Sequence, residues 1–213
     1  MTGLPPAGNQ LRRGRRAREY GRLTQGAVLD LSELTDEQLA AETASEGSDG
    51  PAFVELLSRF RERIWRICFR LMQNETDAND AAQEVFVRLF VNRAKFEGRS
   101  KYSTWAHAVA VRTCLSIRRG KARRRKHETD ATREFQHRHG DAQPTADPGL
   151  SMDLMNMLES LGEDDRAMLI MKYAEGHSYE ELSGIFDLSI SGCKMRVSRA
   201  REKLRQLYPN QLG

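Results

Sequence analysis

The chain has 213 residues, of which 39% are hydrophobic and 30% charged, so it can form one or two small soluble cores. Its formal net charge of +4 does not by itself indicate nucleic acid, because phosphate binding depends on a local basic surface. No apolar run reaches the length of a membrane span, and no apolar stretch follows the basic N-terminus as a secretory signal requires.

The first 50 residues contain an arm and one short helix. Residues 1–29 combine prolines, glycines and five clustered arginines, a composition that predicts a disordered basic arm. Such an arm is either simply solvated or a contact for nucleic acid. Thr35 and Gln38 have the spacing of a capping box, which predicts a helix from Thr35 to about Ala44.

Three longer helices follow. Pro51 suits the first turn of a helix that continues to Leu71, with apolar residues at steps of three and four. A third helix is predicted from Ala78 to Asn92. A loop containing Gly98 separates it from a fourth helix, which runs from Ser103 to Arg125 and ends in a dense basic block at 118–126.

Residues 127–150 are polar and contain prolines, which predicts a flexible linker. Helical patterns return at 151–160, 164–174, 178–186 and 190–207, and no segment has the period of a strand. The sequence therefore predicts an all-α protein of two small helical domains, at 30–126 and 151–208, joined by this linker.

The last two helices have the pattern of a helix-turn-helix. Ser178 and Glu181 form a capping box, and Asp187 suits the tight turn between the helices. Basic residues of the second helix avoid the apolar stripe, which favours DNA reading over an ordinary hairpin with a solvated basic face. Its first turns hold the residues expected to reach base edges: Ser191, Lys194, Met195, Arg196, Ser198 and Arg199.

Two further groups stand out. Aromatic and cationic residues interleave from Lys95 to Arg112, a pattern that suits single-stranded nucleic acid, although Phe96 and Trp105 are equally well explained as core. The third helix carries acidic and amide side chains at Asp80, Gln83 and Glu84. By themselves these three residues are explained as solvated side chains near a helix N-terminus, where the helix dipole favours negative charge.

Three stretches together resemble a known family. Residues 77–89 (DANDAAQEVFVRL) are similar to its D-A-E-D-hydrophobic-hydrophobic-Q-E-V-F-L-R-L motif, and residues 96–105 (FEGRSKYSTW) to its F-x-G-x-S-x-x-x-T-W motif. Residues 173–182 and 194–204 resemble its second domain. In this order, with a polar linker between them, the motifs resemble the sigma-70 family, specifically its extracytoplasmic-function (ECF) group.

The resemblance implies an alternative sigma factor that binds core RNA polymerase and promoter DNA. Asp80, Gln83 and Glu84 would bind the polymerase. The non-template strand of the minus-ten element would meet Arg99, Lys101, Tyr102, Trp105, Arg112 and Arg119. The helix-turn-helix would read the minus-thirty-five element as duplex. The resemblance leaves open whether an anti-sigma factor controls the protein.

Two other classes of protein compete with this interpretation. A dimeric helix-turn-helix regulator that acts without polymerase explains residues 152–207 but not the acidic helix or the aromatic loop. An enzyme acting on nucleic acid would need a catalytic constellation, which the sequence does not suggest. The five histidines and three separated cysteines form no ligand pattern, so we expect no metal or cofactor, and the cysteine usage is typical of the cytoplasm.

Overall fold

The computed structural model describes residues 30–45, 50–131 and 152–209. Every regular element in these ranges is helical and none of these residues forms a strand, which confirms the all-α fold class. The chain divides into a unit at 1–34, where Leu31–Glu33 forms a 3-10 turn, and a compact unit at 35–213. The predicted N-terminal arm at 1–29 lies outside the described residues.

The first group of helices consists of α1 (Asp36–Ser45), α2 (Pro51–Met72), α3 (Glu75–Val91) and α4 (Tyr102–Ala131). The capping box that opens α1 is confirmed: the Gln38 amide N–H donates to Thr35 Oγ1 at 3.2 Å, and the Thr35 N–H donates to Gln38 Oε1 at 2.8 Å. Gln73 ends α2 in the left-handed conformation, with its N–H bound to the Phe69 carbonyl.

The core of this group is built from large residues on α2 and small ones on α3. Leu56, Ile64 and Ile67 of α2 are buried. The buried face of α3 includes Ala78 and Ala81, whose small side chains let the helices approach closely. Observed boundaries in this group differ from the predicted ones by more than one residue at two places. Because the Asn74 side chain accepts from the Asp77 N–H, α3 begins three residues early. In addition, α4 continues six residues further than predicted, into the segment predicted as linker.

The second group consists of α5 (Met152–Glu159), α6 (Glu163–Leu169), a π-helical turn (Ile170–Ala174), α7 (Tyr179–Phe186) and α8 (Ile190–Leu207). The capping box at Ser178 and Glu181 is confirmed, with both reciprocal hydrogen bonds present. Asp187 adopts φ 55° in the turn between α7 and α8, as the sequence predicts. These two helices have the order of a helix-turn-helix.

The two groups of helices pack against each other within the unit 35–213, with α7 lying on α4. Gly184 lies at the contact, where an added Cβ would approach Thr104 Cγ2 to 3.2 Å. The sequence predicted two domains but no contact between them. Apart from the end of α4, the linker predicted at 127–150 lies outside the described residues.

Candidate nucleic-acid and protein interfaces

The acidic and amide residues of α3 share the face that points away from the core. Asp80 and Gln83 are exposed, and Glu84 is half-buried. The Arg88 guanidinium donates to Glu84 Oε1 at 2.7 Å, with both side chains more than two-fifths exposed, so solvent screens this pair. The helix therefore presents two carboxylates and an amide to solvent, and Arg88 is the only cation paired with them among the described residues.

Two valines extend this face along α3. Val87 is 56% exposed and Val91 is 67% exposed, although both are large apolar residues. They follow Asp80 and Glu84 at helical steps of three, four and seven residues, so all four side chains lie on one stripe. The sequence itself indicates that both valines are exposed, since they fall outside the apolar positions that bury α3. The predicted site contained only the polar residues of the helix.

An aromatic cluster lies where the loop before α4 meets the helix. The Phe96, Tyr102 and Trp105 rings are mutually 5.2–5.6 Å apart, and the Phe60 ring lies 5.3 Å from Tyr102. Tyr102 is only 4% exposed, and this burial raises the pKa of its phenol. In this conformation the Tyr102 ring offers no face to a base, contrary to its prediction as a stacking platform. Trp105 is half-buried and lies at the outer side of the core.

Four cations were predicted to lie beside this cluster. Arg99, Lys101 and Arg112 are exposed, and Arg99 pairs with the neighbouring Glu97 at 2.5 Å. Arg119 lies further along α4, and its Nη2 is 2.6 Å from Asp164 Oδ1 at the start of α6. The structure therefore brings Arg99 and Lys101 to the aromatic cluster but places Arg119 at the contact with the second group of helices.

The recognition helix α8 presents most of its predicted residues to solvent. Ser189 caps the helix by accepting from the Gly192 N–H at 3.0 Å. Cys193, Val197, Ala200 and Leu204 are buried, which leaves the predicted base-reading residues on the outer side: Ser191, Lys194, Met195, Ser198 and Arg199 are exposed. Arg196 is the exception, since its guanidinium binds Asp165 and lies 3.6 Å from Asp164.

Charged residues at the contact between the two groups were missed by sequence reasoning. Arg70 donates to Glu175 Oε1 at 2.5 Å and to the Ala174 carbonyl at 2.9 Å, and the Glu175 side chain is only 2% exposed. Arg118 bridges the Leu71 carbonyl and Glu163, at 2.8 and 3.2 Å. No spacing pattern links residues this far apart in sequence, so only the tertiary structure could reveal these pairs.

The described residues contain no group of three or more His, Cys, Asp or Glu side chains that could hold a metal ion. Likewise, no helix in the described ranges is long and apolar enough to cross a membrane. All three cysteines are buried and unpaired.

Family models match both groups of helices. Residues 56–124 match the model described as Sigma-70 region 2, and residues 151–204 match the model described as Sigma-70, region 4. The two matches together cover more than half of the chain. The first contains the acidic face and the aromatic cluster, and the second contains the helix-turn-helix.

Individual proteins are similar over most of their length. The ECF RNA polymerase sigma factor SigW of Bacillus subtilis (strain 168) is 28% identical over 169 residues, which cover 74% of this chain and 89% of SigW. The ECF RNA polymerase sigma-E factor of Escherichia coli (strain K12) is 28% identical over 183 residues, covering 82% of this chain and 95% of that factor.

Two solved structures share the fold. One is CnrH in complex with the cytosolic domain of CnrY, with a TM-score of 0.57 and 20% identity, covering 83% of this chain and 98% of CnrH. The other is the sigma factor RpoE in complex with the anti-sigma factor NepR from Bartonella quintana, with a TM-score of 0.56 and 23% identity, covering 75% and 98%.

Proposed function

This chain belongs to the sigma-70 family of RNA polymerase sigma factors, in its extracytoplasmic-function group. We propose that three of its exposed surfaces bind, respectively, core polymerase, the minus-ten element and the minus-thirty-five element. The chain is an alternative sigma factor, which binds core RNA polymerase and directs initiation at specific promoters. A regulator that acts without polymerase is disfavoured, since it would leave the match at 56–124 unexplained. The family supports a non-enzymatic role beside the polymerase in the cytoplasm.

The observation that carries the assignment is the outer face of α3. Asp80, Gln83 and Glu84 point away from the core that the helix helps to form, so they do not serve the packing of this chain. Exposed carboxylates on a rigid helix can bind cations of a partner while costing little rearrangement. We therefore assign these three residues to the contact with core polymerase.

Charge reversal tests this assignment. Asp80→Arg with Glu84→Arg should weaken binding to core polymerase at least tenfold, because two attractive contacts become repulsive, each worth about 1 kcal/mol or more. Affinity is measured by titrating a labelled factor with core enzyme. The matched control reverses Glu62 of α2 and Glu75 of α3, which are also exposed but lie off this face. Equal losses in the two double variants, or no loss in either, would contradict the assignment.

The aromatic cluster and its cations are assigned to the minus-ten element. Arg99, Lys101 and Arg112 are exposed and can meet phosphates, and the outer side of Trp105 can meet an unstacked base. The Tyr102 ring packs against Trp105 in a tilted arrangement, with the ring centroids 5.5 Å apart. Arg119 belongs to this set only when its pair with Asp164 is broken.

The exposed side of α8 is assigned to the minus-thirty-five element. The turn at Asp187 sets α8 against α7 in the manner of a recognition helix, whose N-terminal turns enter the major groove. Lys194, Ser198 and Arg199 supply hydrogen-bond donors there. Both structural neighbours are complexes with a second protein, and NepR, in one of them, is an anti-sigma factor. This supports a regulator of that kind as a further partner of this chain.

A further inference from the structure

The two groups of helices are held together by contacts that bury charge. We call this contact between α2 and α4 on one side, and α6, the π-helical turn and α7 on the other, the inter-domain interface. Arg70 and Glu175 form an ion pair across it, with side chains only 10% and 2% exposed. Arg118 with Glu163 and Arg119 with Asp164 add two pairs at its edge. These pairs hold the two groups of helices in one defined arrangement, which we call the closed form.

The closed form cannot engage a whole promoter if the proposed function is correct. A single residue, Asp164, contacts arginines of both DNA-binding surfaces. Its carboxylate lies 2.6 Å from Arg119, assigned to the minus-ten element, and 3.6 Å from Arg196, predicted to contact the minus-thirty-five element. The two promoter elements are separated by about 25 base pairs, which is roughly 85 Å of duplex at about 3.4 Å per base pair. The inter-domain interface must therefore open before both elements are bound.

Two histidines face each other inside the inter-domain interface. His107 of α4 is fully buried and His177, just before α7, is 3% exposed, with ring centroids 5.0 Å apart in an edge-to-face arrangement. Neither nitrogen of His107 has a hydrogen-bond partner among the described residues, and neither does Nε2 of His177. Only Nδ1 of His177 approaches an acceptor, Glu181 Oε2, at 3.4 Å. The site accommodates two neutral imidazoles and provides little for a charged one.

The charged groups around the pair act in opposite directions. Burial, followed by the positive charge of Arg63 on α2, lowers the pKa of His107 to about 3. Burial also lowers the pKa of His177, although the carboxylates of Glu181 and Glu175 oppose this.

Two lysines lie nearby. Lys172 donates to the His177 carbonyl at 2.9 Å, and the charge of Lys101 acts on Glu181. Burial therefore outweighs the two carboxylates, and both rings are uncharged in the closed form at neutral pH.

We propose that His107 and His177 form a proton-sensitive latch, so that protonation of either ring opens the inter-domain interface and lets the two DNA-binding faces reach both promoter elements at once. Opening exposes each ring to water, where an imidazolium is readily solvated. In the closed form a proton on His107 would lie beside a second ring and Arg63 without an acceptor among the described residues, and a proton on His177 would meet only the carboxylate of Glu181, 3.4 Å from Nδ1. The factor would thus change from closed to open as the surroundings become acidic.

The sign and size of the effect follow from linkage. In the closed form each pKa lies below the open-form value of about 6.5, so closure is fully stabilised above pH 6.5 and loses stability as the pH falls below it. Between pH 7.5 and 5.5, the ratio of open to closed molecules should rise up to about tenfold for each histidine. The two together give an increase of up to roughly 100-fold.

Single-molecule energy transfer on the full chain tests the latch. Dyes are attached at Arg61→Cys on α2 and Gln206→Cys on α8, two exposed positions on opposite sides of the inter-domain interface. The low-transfer, open fraction should increase from pH 7.5 to 5.5 in the otherwise unchanged chain. In His107→Phe with His177→Leu it should stay constant, because no ring is left to titrate.

A second variant keeps the test decisive if the double histidine variant fails to fold. His177→Leu alone leaves the His107 ring to titrate, so the open-to-closed ratio should rise only up to about tenfold between pH 7.5 and 5.5. Identical pH curves for the unchanged chain, the single His177→Leu variant and the double histidine variant would overturn the latch, as would a closed state at every pH. Binding to core polymerase is measured separately at pH 7.5, and its absence would overturn the proposed function instead.

Discussion

Two arginines one turn apart on α8 differ in what they can do in the closed form. The Arg196 guanidinium binds Asp165 and lies near Asp164, whereas Arg199 is exposed and, among the described residues, donates only to the Met195 sulfur, at 2.7 Å. An arginine bound to carboxylates must break those bonds before it can bind a guanine, while an exposed one is ready to do so. Arg199 is therefore the better candidate for direct base reading.

Arg199→Ala should relax the preference at one or two base pairs of the minus-thirty-five element. A guanine contact through O6 and N7 contributes roughly 1–3 kcal/mol of discrimination, so the loss is readily measured. Lys203→Ala, further along the exposed side of α8, should weaken binding evenly and reduce the salt dependence. Affinities of the polymerase complex for single-base variants of the promoter, at several salt concentrations, distinguish the two. Uniform losses in both variants would make α8 a phosphate clamp.

The types of side chain at the DNA-binding surfaces could be predicted from the sequence, but whether each side chain is exposed and unbound could not. Interleaved aromatic and basic residues correctly indicated a special surface before α4, yet Tyr102 is in the core because it packs between Phe60, Phe96 and Trp105. Similarly, nothing near Arg196 in sequence indicates that carboxylates 31 and 32 positions earlier will bind it. Both outcomes depend on tertiary neighbours, which local patterns do not specify.

At the level of single elements, α3 exposes two large apolar side chains next to its acidic residues. Its N-terminal half presents Asp80 and Glu84, and its C-terminal half presents Val87 and Val91 on the same stripe. Exposed β-branched apolar residues do not stabilise an isolated helix. Because they lie beside the acidic residues, we propose that the four side chains form one continuous contact with the polymerase, polar at one end and apolar at the other.

Val87→Ser with Val91→Ser should weaken core binding by about 10- to 100-fold, since burying each valine contributes roughly 1.5 kcal/mol. The thermal midpoint of the free factor should change little, because both side chains are already mostly exposed. Titration with core enzyme and thermal unfolding give the two quantities. Val85→Ser, at a fully buried position on the opposite side of α3, is the contrasting control and should lower the midpoint clearly. Full core affinity in the double variant would restrict the contact to the acidic half.

Helix identity followed from the sequence more faithfully than helix ends. The capping boxes at Thr35 and Ser178 placed the starts of α1 and α7 because their hydrogen bonds are local. Asn74 also caps α3 locally, but it lies in a polar stretch that resembles a loop. The far end of α4 was placed too early because the polar composition after residue 126 resembles a linker, although no glycine or proline stops the helix between Lys121 and Ala131.

For the whole molecule, the domain division at 30–126, 127–150 and 151–208 is still a prediction. It is motivated by the polar composition of 127–150 and agrees with family matches that end at 124 and resume at 151. Apart from cuts in the predicted disordered arm at 1–29, trypsin should cut first within 127–150, and the two fragments should still elute together at pH 7.5 because the inter-domain interface holds them. Slow digestion without a cut in that segment would contradict the division.

The closed form itself was not predictable from the sequence. Glu175 belongs to a family motif, while Arg70 is one of several arginines on α2 that alternate with apolar residues, and nothing in either pattern links the two. Their pairing depends on the π-helical turn, where the Glu175 N–H bonds the Ile170 carbonyl and brings Glu175 toward α2. The consequence is a buried ion pair that exists only while the two groups of helices are together.

Breaking this pair should open the molecule rather than unfold it. Glu175→Gln removes the buried carboxylate that binds Arg70, and removing one partner of a buried ion pair costs about 3–5 kcal/mol in the closed form. Opening relieves that cost, because it returns Arg70 to water. The open fraction at pH 7.5, measured by the same energy transfer, should rise strongly with helix content unchanged. Arg70→Met with Glu175→Leu removes both charges and should restore closure. Glu97→Gln, which breaks only the exposed pair between Glu97 and Arg99 in the loop before α4, should leave the open fraction unchanged. If Glu175→Gln stays as closed as the Glu97 control, the ion pair does not hold the interface.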